Sequence, residues 1–292
     1  MPAPLRKAIC LLALLAATLL PAVAAPAAAQ GIRDRWFTTS DGVRLHYLEA
    51  GQGRTIVLVP GWTMPGWIFG PQIAAFSTSY HVVAFDPRGQ GDSEVAPSGY
   101  DAERRGRDIA ELIARLGPAP VLLVGWSLGV LDSLAYIGES GDGHLAGLVL
   151  IDNSVGEEPA PVPSRRRVPY RAPLSRDAAM ARFVRSMFRR PQNAAYLDRL
   201  TEDCLRTPPA AAAALLAYSL PRTYWKEVLY SVRRPVLYVV RPHLAGQAAN
   251  VALHDPYAET AVFRDAGHAL FIDDASRFNA LLASFIRQRV FP

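Results

Sequence analysis

The stretch Val121-Leu122-Leu123-Val124-Gly125-Trp126-Ser127-Leu128-Gly129-Val130 constrains this chain more than any other. An apolar, β-branched run fits a buried strand. It ends in Gly-x-Ser-x-Gly, and Val130–Tyr136 then reads as a helix. Strand, tight turn and helix together make the pentapeptide a nucleophile elbow, in which a bent, strained serine holds its hydroxyl out at the strand tip. Gly125 and Gly129 are small so that neighbouring backbone can pass close to Ser127. A plain Gly/Ser turn between two elements is the bland alternative.

A chain of 292 residues, half of them hydrophobic, can bury a full-sized core as one large α/β domain or two small ones. Residues 1–30 stand apart. Arg6 and Lys7 form a positive start, and Ala8–Leu20 is apolar but short for a membrane span. Ala27-Ala28-Ala29 then offers a small-residue cleavage site before Gln30. This pattern predicts a secretory signal peptide, a periplasmic or secreted mature protein, and no stable membrane span after cleavage. An uncleaved N-terminal anchor is the alternative. Cys10 sits too early in the apolar run for lipid attachment. Cleavage leaves Cys204 alone, so no internal disulfide forms, and no Cys/His metal spacing is present. Cys204 reads as a buried residue, not a nucleophile.

The formal net charge of +5 falls to +3 once Arg6 and Lys7 are removed. The remaining arginines are spread along the chain without a nucleic-acid motif, which argues against a nucleic-acid partner. Arg165-Arg166-Arg167, with Arg171 and Arg176 nearby, reads as a solvated face, with an anionic-substrate site as the sharper alternative.

Along the chain, Arg35–Thr38 and Val43–Glu49 form a hairpin about Asp41-Gly42. Thr55–Val59, Tyr80–Phe85, Val121–Trp126, Gly147–Ile151, Pro235–Val240 and Ala261–Phe263 read as further strands. Helical spacing marks Trp67–Phe76, Asp101–Leu116 and Ala275–Arg289. Between Ser154 and Arg233 there is no strand pattern. A Pro/Arg-rich segment leads there into helical stretches near 175–189, 193–203, 208–218 and 224–231. Alternating strands and helices predict an α/β fold with a mostly parallel eight-stranded sheet covered on both faces. The expected organisation is a core of 31–154 and 233–292, with 155–232 inserted after the sixth strand as a helical lid.

These features resemble the α/β-hydrolase superfamily over nearly all of the chain after residue 30. The likeness rests on Gly61-Trp62 after the third strand and Asp86-Pro87-Arg88-Gly89-Gln90-Gly91-Asp92-Ser93 after the fourth. It rests also on the Ser127 elbow after the fifth and Gly267-His268 after the eighth. Gly-Trp-Ser-Leu-Gly with an upstream Gly-Trp is similar to carboxylesterases of the pimeloyl-carrier-protein methyl esterase type and to cofactor-free haloperoxidase/esterase relatives. A carrier-protein substrate is cytosolic, so for a chain that looks exported the likeness implies esterase chemistry and not that substrate.

The resemblance implies roles residue by residue. Ser127 is the nucleophile and needs a base within hydrogen-bond reach. His268, beside Gly267 after the last strand, is that base. The other five histidines, His46, His81, His144, His243 and His254, read as structural. In most relatives the triad acid follows the strand after the lid. Here that strand runs into Arg241-Pro242-His243-Leu244-Ala245-Gly246-Gln247, with no carboxylate until Asp255. Some branches carry the acid one strand earlier, and Asp152 occupies that place. Glu157, Glu158 and Asp255 stay open as alternatives. The backbone N–H groups of Trp62 and Leu128 are the expected oxyanion donors. Pro60 stands where a histidine is usual, which removes no donor.

Arg88, Asp92 and Ser93 read as residues that lock neighbouring turns. Trp126, Phe183, Met187 and Trp225 are the expected substrate-binding side chains, within a lid that also carries Met180, Phe188, Tyr196, Leu215, Tyr218 and Tyr224. The implied function is hydrolysis of a small-molecule carboxylic ester, lactone or thioester, with no metal and no organic cofactor. Serine at the elbow argues against dehalogenases and epoxide hydrolases, which use aspartate there. Carbon–carbon bond hydrolysis, peptidase or perhydrolase activity, and a non-catalytic ligand-binding protein of the same fold are the alternatives. Nothing in the sequence sets an oligomeric state.

Overall fold

The computed structural model describes residues 31–161, 174–217 and 219–292. The expected signal peptide, Arg165–Arg167, Arg171 and Tyr218 lie outside the described residues. β1 (Arg33–Thr38) and β2 (Arg44–Ala50) form the expected hairpin. They are followed by β3 (Thr55–Val59), α1 (Gly70–Phe76), β4 (His81–Asp86), α2 (Ala102–Leu116), β5 (Val121–Trp126), α3 (Leu128–Ser140) and β6 (Leu145–Ile151). Four helices come next: α4 (Arg176–Ser186), α5 (Ala194–Arg206), α6 (Pro209–Leu215) and α7 (Arg222–Ser231). The chain closes with β7 (Val236–Val240), α8 (Ala245–His254), β8 (Ala258–Val262), α9 (Leu270–Asp273) and α10 (Ala275–Phe285).

The eight strands lie in the order β1-β2-β4-β3-β5-β6-β7-β8. β1, β2 and β4 pair antiparallel, and every pairing from β4–β3 through β7–β8 is parallel. Successive residues of a strand face opposite sides. Val57, Leu123, Leu148 and Tyr238 therefore pack against α2, α3 and α8, while Ile56, Leu122, Val149 and Leu237 pack against α1 and α10. A doubly covered parallel sheet brings the C-terminal ends of its strands to one edge, where sites form. Here that edge carries Trp62, Ser127, Asp152, Arg241 and His268.

The inserted helices divide. α4 and α5 join the α1 side through Met180, Val184, Leu200 and Cys204, and α6 covers Leu128 through Ala211 and Leu215. α7 packs instead on the opposite core through Trp225, Val228 and Leu229. β8 and α8 are among the elements that depart from the sequence expectation, as does the short α9. β8 runs three residues earlier than its apolar end, Ala261–Phe263, suggests; it is a half-buried edge strand and carries Glu259 and Thr260. α8 has no clear sequence signal. Gly246 and Asn250 lie inside it, no side chain caps it, and only Gln247, Ala248 and Val251 are buried.

Candidate active site

β5 ends at Trp126 and α3 begins at Leu128, so Ser127 alone carries the reversal, at φ 55° and ψ −119°. Its neighbours must be small. A Cβ on Gly125 would lie 2.3 Å from the Gly129 carbonyl oxygen, and one on Gly129 would lie 2.4 Å from that of Val59. Two hydrogen bonds fix the strained residue: Ser127 N–H donates to the Ile151 carbonyl at 2.9 Å, and Asn153 Nδ2 donates to the Ser127 carbonyl at 2.7 Å. Thr63, Ser127 and Asp152 are the non-glycine residues at positive φ among the described residues. All three lie just beyond strand ends at this edge. Such backbone costs about 1–3 kcal/mol each and persists where surroundings over-determine it.

His268 Nε2 lies 2.8 Å from Ser127 Oγ, and His268 Nδ1 lies 2.6 Å from Asp152 Oδ2. The loop that carries His268 is pinned by Trp126 Nε1, which donates to the His268 carbonyl at 3.0 Å. The Asp152 side chain is fully buried. Burial raises a carboxyl pKa, but the hydrogen bond and charge of His268, with Arg241 beside them, outweigh it and hold Asp152 below the ordinary carboxylate range. The other carboxylates weighed for this place lie elsewhere. Glu157 is bonded to Lys226 and Tyr230, Glu158 is exposed, and Asp255 accepts from the Tyr257 N–H. Among the four, only Asp152 touches His268.

Trp62 and Leu128 bring their N–H groups to the same edge. Among the described residues neither N–H has an acceptor in the protein. A Cβ on Gly61 would lie 2.9 Å from Ser127 Cβ, so the turn presses on the serine. Gln90, which the sequence reading did not single out, holds this turn from beneath. Its Oε1 accepts from the Thr63 N–H at 2.6 Å and its Nε2 donates to the Gly61 carbonyl at 3.3 Å. Other residues of its glycine-rich loop bind neighbouring turns. Arg88 is buried on Asp108, Ser93 Oγ donates to the Asp86 carbonyl, and the Asp92 N–H donates to Asp86 Oδ2.

A cavity of about 450 Å³ opens on Ser127 and His268. Its walls are largely apolar, with Trp62, Met64, Trp126, Phe183, Met187 and Leu216 contributing, and Arg241 is also on the wall. Of the expected substrate-binding residues, Trp126, Phe183 and Met187 reach this cavity. Trp225 does not. It is buried against Tyr224 in the core beside α3, because α7 docks with that face inward. Trp62 and Phe183 meet edge to face at 5.0 Å, and Trp62 Nε1 donates to the Ala212 carbonyl at 2.7 Å. The inserted helices are tied to the His268 loop by buried Asp273, which accepts from the Arg189 N–H at 2.7 Å and the Gly267 N–H at 2.6 Å.

Cys204 is buried, 3.7 Å from the Met64 sulfur, and burial pushes its thiol up to about 12, which leaves it without nucleophilic thiolate near neutrality. One group with metal-ligand spacing occurs among the described residues, Asp34, His46 and Asp92, with ligand atoms within 4.8 Å of one another. His46 is already bonded to Asp86 at 2.7 Å, and Asp92 pairs with Arg206 at 2.6 Å. None of the three lines the Ser127 cavity.

The chain belongs to the alpha/beta hydrolase family, whose model matches residues 56–281. It is similar to the non-heme chloroperoxidase CPO-A1 of Kitasatospora aureofaciens, 36% identical over 115 residues that make up 39% of this chain and 42% of that protein. It is also similar to a soluble epoxide hydrolase of Corynebacterium sp. (strain C12), 36% identical over 98 residues, 33% of this chain and 34% of that one. The match thus spans well under half the length of these relatives. The fold matches that of esterase RhEst1 from Rhodococcus sp. ECU1013, with a TM-score of 0.73 and 24% identity over 88% of this chain and 99% of that one.

Proposed function

We propose that the protein is an exported serine hydrolase that cleaves a small carboxylic ester, lactone or thioester through an acyl-enzyme on Ser127. The observation that carries this reading is the unbroken chain Ser127 Oγ–His268–Asp152, at 2.8 and 2.6 Å. Ser127 attacks the carbonyl carbon while His268 Nε2 takes its proton. Asp152 keeps the other ring nitrogen protonated and stabilises the imidazolium. The oxyanion accepts from the N–H groups of Trp62 and Leu128, the second at the start of α3 where the helix dipole adds to the bond. His268 then protonates the leaving alcohol. Water then attacks the acyl carbon while His268 takes its proton; the bond to Ser127 Oγ breaks, Oγ takes that proton back from His268, and the acid leaves. The apolar walls favour an apolar acyl or aromatic group. The Ala8–Leu20 run and Ala27-Ala28-Ala29 support export.

The test is turnover of p-nitrophenyl acetate, butyrate and octanoate by the mature protein, with acid-quenched samples analysed by peptide mass spectrometry. The reading expects hydrolysis and an acyl group on the peptide that contains Ser127, with both lost in Ser127→Ala. Hydrolysis that survives Ser127→Ala would reject it.

A further inference from the structure

We propose that Arg241 is a positioning residue for Asp152: it holds the carboxylate in the one orientation that His268 uses and sets a fixed cation beside the protonated ring nitrogen. The proposal rests on the reading of Ser127, His268 and Asp152 as the catalytic groups.

Arg241 follows β7 directly, next to the end of β6 where Asp152 lies. It grips both carboxylate oxygens. Its N–H donates to Oδ1 at 2.9 Å and its Nε to Oδ2 at 2.5 Å. Oδ2 is also the atom that accepts from His268 Nδ1, so one oxygen is shared between the base and the arginine. An aspartate carboxylate turns about a broad, twofold torsion. A bond to each oxygen from a single neighbour removes that freedom. Charge-assisted bonds to a planar guanidinium are the strong and directional ones.

The second effect is electrostatic. Arg241 Nη2 stands 3.4 Å from His268 Nδ1. Nδ1 carries its proton toward Asp152, so two donors face each other there and no hydrogen bond joins them. The guanidinium leaves Nδ1 a single acceptor, Asp152 Oδ2, and so fixes which carboxylate oxygen the ring meets. Two further titratable groups bear on this point. His243, on the segment after β7, is itself kept from protonating first by burial, and Asp273 bonds the Gly267 N–H. Between α4 and α5, Arg189 is drawn to Asp265 at 3.8 Å on the surface. Arg241 is 30% exposed and lines the reactive cavity, so it is no core ion pair whose only task is to neutralise a buried charge.

The test is kcat and KM for p-nitrophenyl butyrate against pH, for the mature protein and for Arg241→Met, Arg241→Lys, Asp152→Asn and the Asp152→Asn/Arg241→Met double variant. The residue 241 N–H is kept in all of them, so only the guanidinium is tested. Arg241→Met is expected to lower kcat about tenfold with KM nearly unchanged. The loss is expected to sit in kcat at every pH tested, as removal of a contact that positions a group in the transition state requires. Lysine recovers only part of the lost kcat, since an ammonium lacks the planar fork. In the Asp152→Asn background Arg241→Met adds less than about twofold.

The proposal is overturned if Arg241→Met changes only KM or the melting temperature. It is overturned equally if its effect is the same with and without Asp152. Should Arg241→Met not fold, Arg241→Gln carries the same comparison. A fully active Asp152→Asn would overturn the functional reading as well. An inactive Asp152→Asn beside an unchanged Arg241→Met profile would overturn this proposal alone.

Discussion

The ends of β6 and β7 lie side by side and carry opposite charges. Asp152 ends β6 at positive φ, fully buried, and reaches His268. Arg241 ends β7 in extended backbone, partly exposed, and reaches Asp152. The resemblance of the sequence to its superfamily leads one to expect an acid at the second place. The geometry meets that departure with an acid at the first and a cation at the second, in contact. A position that lacks the expected acid is therefore not vacant. What matters is the point at which a carboxylate meets His268 Nδ1, and in this chain the end of β6 delivers it.

Exchanging the charges at the two strand ends is expected to have the largest effect. Asp152→Asn is expected to cost about 10³- to 10⁴-fold in kcat for an ester substrate, since the histidine loses its orienting anion. Adding Arg241→Asp to that variant returns a carboxylate to the β7 end and is expected to recover about tenfold or more of the loss. No recovery in steady-state kinetics would show that the β7 backbone in this chain cannot present an acid to His268.

A smaller effect separates the residues that follow the two strands. Asn153 bonds the Ser127 carbonyl at 2.7 Å, so Asn153→Leu frees the elbow and is expected to lower kcat about tenfold. His243, three residues past β7, has no such bond to the elbow among the described residues, and His243→Ala is expected to change kcat by less than about twofold. Equal losses at both positions would dissolve the distinction drawn between the strand ends.

Stability provides the mildest test. The Asp152 carboxyl is held below its ordinary range in the folded protein. A lowered folded value stabilises the fold above the unfolded value, and that contribution is lost as pH falls through the folded one. Asp152→Asn is thus expected to flatten the fall in melting temperature below about pH 4, followed by circular dichroism. An acid melting curve that keeps its wild-type slope would contradict this.

Much of this arrangement is legible in the sequence because some of its parts are local. The elbow announces itself through Gly125 and Gly129, each of which a Cβ would drive into backbone. The mostly parallel sheet and the covering of both its faces follow from apolar runs that alternate with helices, whereas the placing of β4 between β2 and β3 has no local signal. Asp152 is legible through its place just after the sixth strand and the absence of a carboxylate in 241–247, which together set it ahead of Glu157, Glu158 and Asp255. Arg241, Gln90 and Asn153 act through contacts with segments 89, 27 and 26 residues away, and no local pattern encodes such contacts. Phe183 and Trp225 show the same limit. Both are aromatic residues in inserted helices, yet α4 turns one toward the cavity while α7 turns the other into the core beside α3. Which way a helix faces is decided by what it docks on, and α8, with its weak apolar face, depends on that docking even for its existence.

The most direct measurement is the rate of covalent labelling by a fluorophosphonate, with the adduct located by peptide mass spectrometry. A single adduct on Ser127 is expected in the wild-type protein, none in His268→Ala, and labelling slowed by at least about a hundredfold in Asp152→Asn. An unlabelled Ser127 in folded protein, or equal labelling rates in all three proteins, would contradict it.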